Sequence, residues 1–305
     1  MDLMAIYDIS GNTLLSAYNK SGATTDAYNV SGIKIWSKQA DYTNYSYVQK
    51  WASKGISSTQ GFDIYDGKVF WVAKSGDSTV PSNCYVWNLS DGSQALDTAY
   101  ITVYAGHGNN LSFSNDGSKL IATPAYPPSR VFINAVGQDY AMTLSQTLVL
   151  DDGSTDCDAC YDPNDNTIIW SLGHTANSSD LSAPFKVSKW DLTDLTDNGD
   201  GTYTPTCLST VQTAQPSNSY FFQGCKFHDG LLWFASGYGG GSTDAYVYAV
   251  DPVTGNKPYT IDLETKAEPE GLAWYPDAQA AGGYALYVGF AGMMLRKYTF
   301  AEATT

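Results

Sequence analysis

The chain has 305 residues and a net charge of −15, with 14% aromatic residues, 28 glycines and only 15% charged residues. Such an acidic surface repels the phosphate backbone of nucleic acids and the anionic face of a membrane, so neither is an expected partner. Many aromatic and turn-forming residues, without a long amphipathic helical window, predict an all-β protein.

The sequence contains no segment suited to entering a membrane. No stretch reaches transmembrane length, and the start, Met1 to Tyr7, lacks the basic and apolar regions of a secretory leader. We therefore expect no signal peptide, and a protein that stays in the cytoplasm or leaves the cell by lysis or as part of a particle.

Residues 1–36 carry a short tandem repeat. Tyr7, Tyr18 and Tyr28 each begin a segment of the form Tyr-(Asp/Asn)-x-x-Gly, at steps of 11 and 10 residues. Each segment predicts a short strand, a turn at Ser-Gly and another short strand. So little sequence cannot bury a core alone, so it should pack on the main body, a second copy or a partner. A flexible low-complexity leader is the alternative.

A longer repeat runs through the rest of the chain, in which a polar residue and a glycine precede a strand, a turn and a second strand. Its clear copies begin at Gln60-Gly61, His107-Gly108, Gln223-Gly224 and Glu270-Gly271. The first two starts are 47 residues apart, as are the last two, and a weaker copy begins at Asp156. A period of this length with about four strands per unit predicts a five-bladed β-propeller.

This pattern divides the chain into an N-terminal segment, 1–36, and a propeller, 37–305. The five blades are expected at about 60–105, 106–152, 153–219, 220–265 and 266–300. The last unit has only three clear strands, Gly271–Tyr275, Tyr284–Phe290 and Met294–Phe300. Because an unpaired edge invites aggregation, we predict that 44–51 supplies the outer strand of the last blade and closes the ring. In the alternative, 44–51 only caps the side.

In a propeller, the first strand of each blade lines the central channel, and the residues just before it surround one mouth. The repeat therefore predicts that eight polar residues lie near one another, although they are far apart in sequence. These residues are Gln60, His107, Asn109, Asp156, Asp158, Gln223, Glu268 and Glu270.

Three chemistries are open at this mouth. Amide and carboxylate side chains with nearby aromatic faces suit a hydroxyl-rich ligand, for which we select Gln60, His107, Asn109, Gln223, Glu268 and Glu270. Asp156 and Asp158 could instead supply oxygen ligands to Ca²⁺. Acid–base hydrolysis needs two carboxylates, or a carboxylate with His107. These residues could also simply hold the blades in register through hydrogen bonds to the backbone.

Cysteine chemistry is a weaker prospect. Cys157 and Cys160 form a C-x-x-C, but no second pair and no histidine at zinc-finger spacing accompanies them. The sequence favours buried small residues on strands over a zinc or redox site.

Two sets of motifs resemble phage proteins. The Tyr-(Asp/Asn)-x-x-Gly repeats are similar to the N-terminal segments of tail-associated proteins in phages and prophages of gut bacteria. The set Q-G at 60–61, G-H-G-N at 106–109, Q-G at 223–224 and E-P-E-G-L at 268–272 resembles a β-propeller family of phage tail receptor-binding proteins. That resemblance implies a five-bladed propeller, part of a virion tail or extracellular, that docks onto a bacterial surface glycopolymer such as wall teichoic acid.

The leading hypothesis is therefore a non-enzymatic adhesin for host attachment, partnered by phage tail proteins and a cell-surface glycopolymer, and trimeric through association with a tail. The alternative is an enzyme on the same scaffold, either a glycan lyase or hydrolase or a glutaminyl cyclase-like transferase. Glu270 would then be the acid or base, and His107 its helper. A protein–protein scaffold is the third hypothesis.

Overall fold

The computed structural model describes residues 14–18, 25–29, 35–43, 59–73, 81–124, 129–175, 183–216, 221–238, 243–263, 265–278, 280, 283–291 and 294–301. Within these ranges the chain consists of β-strands and turns, with one short 3₁₀ turn at Gln138–Tyr140. The all-β class predicted from composition is confirmed. No helix in these ranges is long and apolar enough to span a bilayer.

The first sheet is a four-stranded antiparallel meander. Its strands in spatial order are β4 (Thr59–Tyr65), β5 (Lys68–Ala73), β6 (Ser82–Asn88) and β7 (Ile101–Val103). Asp66 and Gly67 join β4 to β5 with φ angles of 48° and 68°. Two successive positive φ values match the twist of a tight hairpin, which explains the Asp-Gly pair at this point.

The second sheet has eight strands, formed by two meanders. The first meander comprises β8 (Asn110–Phe113), β9 (Lys119–Thr123), β10 (Arg130–Val136) and β11 (Met142–Val149). The second comprises β12 (Asp156–Asp162), β13 (Asp165–His174), β14 (Phe185–Asp197) and β15 (Tyr203–Thr213). A single parallel pair, Leu148 with Tyr203, joins them, because the long β14–β15 hairpin reaches back to β11.

The third sheet is again a four-stranded antiparallel meander. Its strands are β16 (Phe222–His228), β17 (Leu231–Ser236), β18 (Tyr246–Val250) and β19 (Tyr259–Asp262). Asp229 and Gly230 form the first hairpin turn, with φ angles of 51° and 77°, as Asp66 and Gly67 do in the first sheet.

The last sheet combines the two ends of the described chain. Its spatial order is β20 (Pro269–Pro276), β21 (Tyr284–Phe290), β22 (Met294–Ala301), β3 (Ile35–Thr43), β2 (Thr25–Asn29) and β1 (Leu14–Tyr18). The strand that pairs with β22 is thus β3, from Ser37 to Thr43, rather than the predicted 44–51. That prediction was wrong. It selected 44–51 for its alternation, but β3, whose sequence IWSKQADYT does not alternate regularly, is the strand that pairs with β22. Segment 44–51 itself lies outside the described residues, and the expected boundary between 36 and 37 falls within β3.

With β20–β22 as the fifth meander, the first strands of the five meanders, here called the inner strands, form a closed cycle. β4 lies against β8, β8 against β12, β12 against β16, β16 against β20, and β20 against β4. A cluster of buried side chains fills each space between consecutive meanders. In β5, for example, Val69 and Trp71 enter the cluster toward β20–β22, whereas Phe70 and Val72 enter the cluster toward β8–β11. Both faces are buried, so the strand is a continuous apolar run.

Candidate functional site

Glycines allow the backbones of the inner strands and of the turns before them to come into direct contact. The Gly61 N–H donates to the Gly108 carbonyl at 2.7 Å, and a Cβ on Gly61 would lie only 2.6 Å from that oxygen. A Cβ on Gly224 would lie 3.1 Å from the Cα of Gly271. The residues before these glycines, including Gln60 and Gln223, are therefore held at the same end of their strands.

The clearest link between predicted site residues joins β16 to the start of β20. The Gln223 Nε2 donates to Glu268 Oε1 at 2.9 Å, and both side chains are half-buried. Glu270, two residues further along, is buried, with 5% of its surface exposed. An amide and a carboxylate are thus positioned as a pair at the end of the inner strands.

Asp158 ties three strands together. Its Oδ2 accepts the Gly224 N–H at 3.0 Å, and its Oδ1 accepts the Thr123 hydroxyl at 3.0 Å. Burial, aided by the neighbouring Asp156 charge, raises the pKa of Asp158 to about 7. Burial also raises the pKa of Asp156 to about 6. Both side chains point to the same face of β12, because they are two residues apart on one strand.

His107 and Asn109 lie in the turn that leads into β8. The flanking Gly106 and Gly108 have φ angles of 57° and 76°, and the Asn109 N–H donates to the Thr123 carbonyl at 2.9 Å. His107 and Asn109 are half-buried. Since Gly108 accepts from Gly61, this turn lies beside the start of β4.

The calcium interpretation gains no support from the geometry. Within the described ranges no group of three or more His, Cys, Asp or Glu side chains is arranged to hold a metal ion. Calcium takes six to eight oxygen ligands, whereas both Asp158 oxygens already accept protein hydrogen bonds. A calcium site at Asp156 and Asp158 stays a prediction.

Cys157 and Cys160 are structural. Three residues apart on β12, they point to opposite faces, and each enters a different buried cluster. They cannot share one metal ion, and both are free thiols.

Sequence reasoning missed the opposite end of the same strands. There the later residues of all five inner strands surround a cavity of about 800 Å³, with Lys226 and Asp63 among its lining residues. The available signal was Lys226, a cation between Cys225 and Phe227 in the middle of strand β16. The repeat motif drew attention only to the residues that precede each strand.

No known family model matches the sequence. No curated protein matches it either. Among solved structures, the tail fiber of a Staphylococcus aureus phage is similar over 81% of this chain and 50% of its own, with 12% identity and a TM-score of 0.46. A chain of the mitotic checkpoint complex is similar over 83% of this chain and 74% of its own, with 13% identity and a TM-score of 0.37. The chain thus spans half the length of the tail fiber it matches.

Proposed function

We propose that this protein is the receptor-binding adhesin of a phage or prophage tail. It binds a bacterial surface carbohydrate through the end of the inner strands that carries Gln60, His107, Asn109, Gln223, Glu268 and Glu270. Its five meanders are the blades of a propeller, and residues 1–36 serve attachment to the tail or packing on the main body. The motif resemblance set out above motivates the tail assignment.

The observation that carries the binding proposal is the hydrogen bond between Gln223 and Glu268. It joins side chains that lie 45 positions apart and on different meanders. Paired amides and carboxylates match the vicinal hydroxyls of sugars, because each planar group can donate or accept at two neighbouring positions. The carboxylates would contact the glycosyl hydroxyls of a wall glycopolymer rather than its phosphates, since like charges repel.

The propeller interpretation is supported by the closed cycle of inner strands. β20 lies against β4, and a buried cluster occupies the space between their meanders. β3 pairs with β22, so strands from both ends of the chain share the last sheet. Joining the ends in one sheet covers a strand edge that would otherwise be open to other chains.

Binding to intact Gram-positive cells and to their purified wall glycopolymers tests this proposal. We expect saturable binding that falls by about tenfold in Gln223→Ala, the loss expected for a charge-assisted hydrogen bond. Gln212→Ala is the matched control, because Gln212 is exposed on the outer strand β15. Equal binding by both variants would place recognition elsewhere.

The same assay separates the adhesin from the enzyme. If the protein is an adhesin, neither the wild type nor Glu270→Gln should release oligosaccharide from the polymer. Product release that disappears in Glu270→Gln would replace the adhesin proposal by the lyase or hydrolase alternative. Trimer formation is part of the proposal and is read from the molar mass by light scattering.

A further inference from the structure

The cavity at the other end of the inner strands has the construction of a ligand pocket. All five inner strands contribute lining residues, for example Tyr65, Phe113, Tyr161, His228 and Trp274. Its volume of about 800 Å³ lies in the range of small-molecule sites in proteins. None of its lining residues belongs to the set of polar residues that includes Gln223 and Glu268 at the other end of the strands.

Lys226 and Asp63, which both line the cavity, form an ion pair. The Lys226 Nζ lies 2.8 Å from Asp63 Oδ2 and also donates to the Leu111 carbonyl. Asp63 accepts two backbone N–H groups in addition, from Ile64 and Phe113. These contacts hold the ion pair in place, and the charges of Lys226 and Asp63 neutralise each other.

Aromatic faces form two walls. Tyr65 stacks on Phe113 with ring centroids 4.9 Å apart and planes 21° apart. On another wall His228 stacks on Trp274, with centroids 4.4 Å apart and planes 15° apart, and Tyr284 leans against His228. Burial lowers the pKa of His228 to about 4, so its ring is uncharged at neutral pH. Flat, uncharged rings of this kind suit the C–H face of a sugar.

One polar group of the lining, the Tyr161 hydroxyl, is both buried and unusual in its hydrogen bonding. Tyr161 is buried, with 3% of its surface exposed, yet its hydroxyl has no hydrogen-bond partner among the described residues. Leaving a buried hydroxyl without a partner destabilises a protein by about 1–3 kcal/mol. Tyr161 is one of the residues that line the cavity, so a ligand hydroxyl that reaches its buried oxygen would supply the missing hydrogen bond.

We propose that this cavity binds one neutral pyranose ring, which stacks on an aromatic wall and hydrogen-bonds to the Tyr161 hydroxyl. The lining charges favour a neutral ligand. Asp63 is paired with Lys226, Asp66 is paired with Lys68, and Asp229 adds a further carboxylate. Among the described lining residues no cation remains for an anionic sugar, so uronic and sialic acids should bind more weakly.

Titration of the full chain with glucose, galactose and N-acetylglucosamine, followed by calorimetry and ligand-observed NMR, tests the proposal. At least one of the three should bind saturably. Tyr161→Phe removes only the hydroxyl, and it should weaken that binding by roughly 3- to 10-fold.

The matched control is Tyr248→Phe. Tyr248 is also buried, and its hydroxyl likewise lacks a partner within the described part of the chain, but Tyr248 is not one of the residues that line the cavity. The Tyr248→Phe variant should bind the sugar with the affinity of the wild type. Failure of all three sugars to bind, or equal affinity in Tyr161→Phe and wild type, would overturn the proposal.

This outcome is distinguishable from failure of the adhesin proposal. Gln223→Ala should keep monosaccharide binding in the cavity, while it loses binding to cells. If Gln223→Ala instead abolishes monosaccharide binding in a folded protein, the sugar is bound at the other end, and the cavity assignment is wrong.

Discussion

The Lys226 ammonium and the Asp63 carboxylate lie 2.8 Å apart, and only about a tenth of each side chain is exposed, at 9% and 10%. They belong to β16 and β4, which are not neighbours in the cycle of inner strands because β20 lies between them. Lys226 also donates to Leu111 on β8. One side chain thus connects three inner strands and fills the space between them.

Removing the cation should destabilise the fold strongly. Lys226→Met leaves the Asp63 charge buried without its partner, which costs about 3–5 kcal/mol of unfolding free energy. Urea unfolding measures the loss. Lys68→Met is the control, because the Lys68–Asp66 pair is exposed and its loss should cost less than about 1 kcal/mol.

The double variant Lys226→Met with Asp63→Asn checks the cause. It should recover part of the lost stability, since no unpaired charge remains buried. Additive losses from the two single changes would contradict a direct interaction between these groups.

Gly61→Ala should separate the inner strands. A Cβ there would lie 2.6 Å from the Gly108 oxygen and 2.7 Å from the Asn110 Cα, and neither backbone atom can move independently of its strand. Overpacking of this kind costs about 1–3 kcal/mol or more. Gly137→Ala serves as the control, because its Cβ would approach nothing closer than 3.4 Å. The melting temperature of Gly61→Ala should lie clearly below that of Gly137→Ala. Similar melting temperatures would show that the inner strands can move apart to accommodate the Cβ.

Asp158 should make the protein less stable as the pH rises toward neutrality. Its folded pKa of about 7 lies above the unfolded value of about 3.9. A raised pKa stabilises the folded state below the unfolded pKa, and that stabilisation is lost as the pH rises from about 4 through about 7. Asp158→Asn imitates the protonated form, since its amide can accept from Gly224 and donate to the Thr123 oxygen.

The difference in unfolding free energy between wild type and Asp158→Asn isolates this effect, because other titrating groups cancel. It should change in favour of Asp158→Asn between about pH 4 and 7, by at most a few kcal/mol. A difference that stays constant with pH would show that Asp158 is ionised throughout.

His174 should make the protein less stable as the pH falls, which is the opposite direction to the effect of Asp158. Burial lowers the pKa of His174 to about 4, and His174 stacks on Phe222 with ring centroids 4.3 Å apart. A depressed pKa gives stability above the unfolded value of about 6.5, which is lost as the pH falls toward about 4. His174→Phe should reduce this acid loss. NMR titration checks the pKa directly, and a His174 resonance that titrates near pH 6.5 would contradict it.

Local pattern was sufficient for the fold class and for individual strands. The predicted strand at Tyr284–Phe290 is observed with those bounds, and the prediction at Met294–Phe300 differs from β22 by one residue. Alternation and turn residues act over a few positions, so these elements can be predicted from sequence. The partner of β22 could not be predicted in this way, because the sequence of β3, IWSKQADYT, has no regular alternation and the pairing is decided across the sheet.

The candidate sites, too, could be predicted only in part from the sequence. The sequence by itself determined which polar residues precede each inner strand, since the repeat of polar residue, glycine and strand is a local feature. Only the tertiary structure decided that Lys226 reaches Asp63 and that Tyr161 lines a cavity at the other end. Those relationships depend on how five strands are placed around one centre, and contacts between non-adjacent strands leave no periodic trace along the chain.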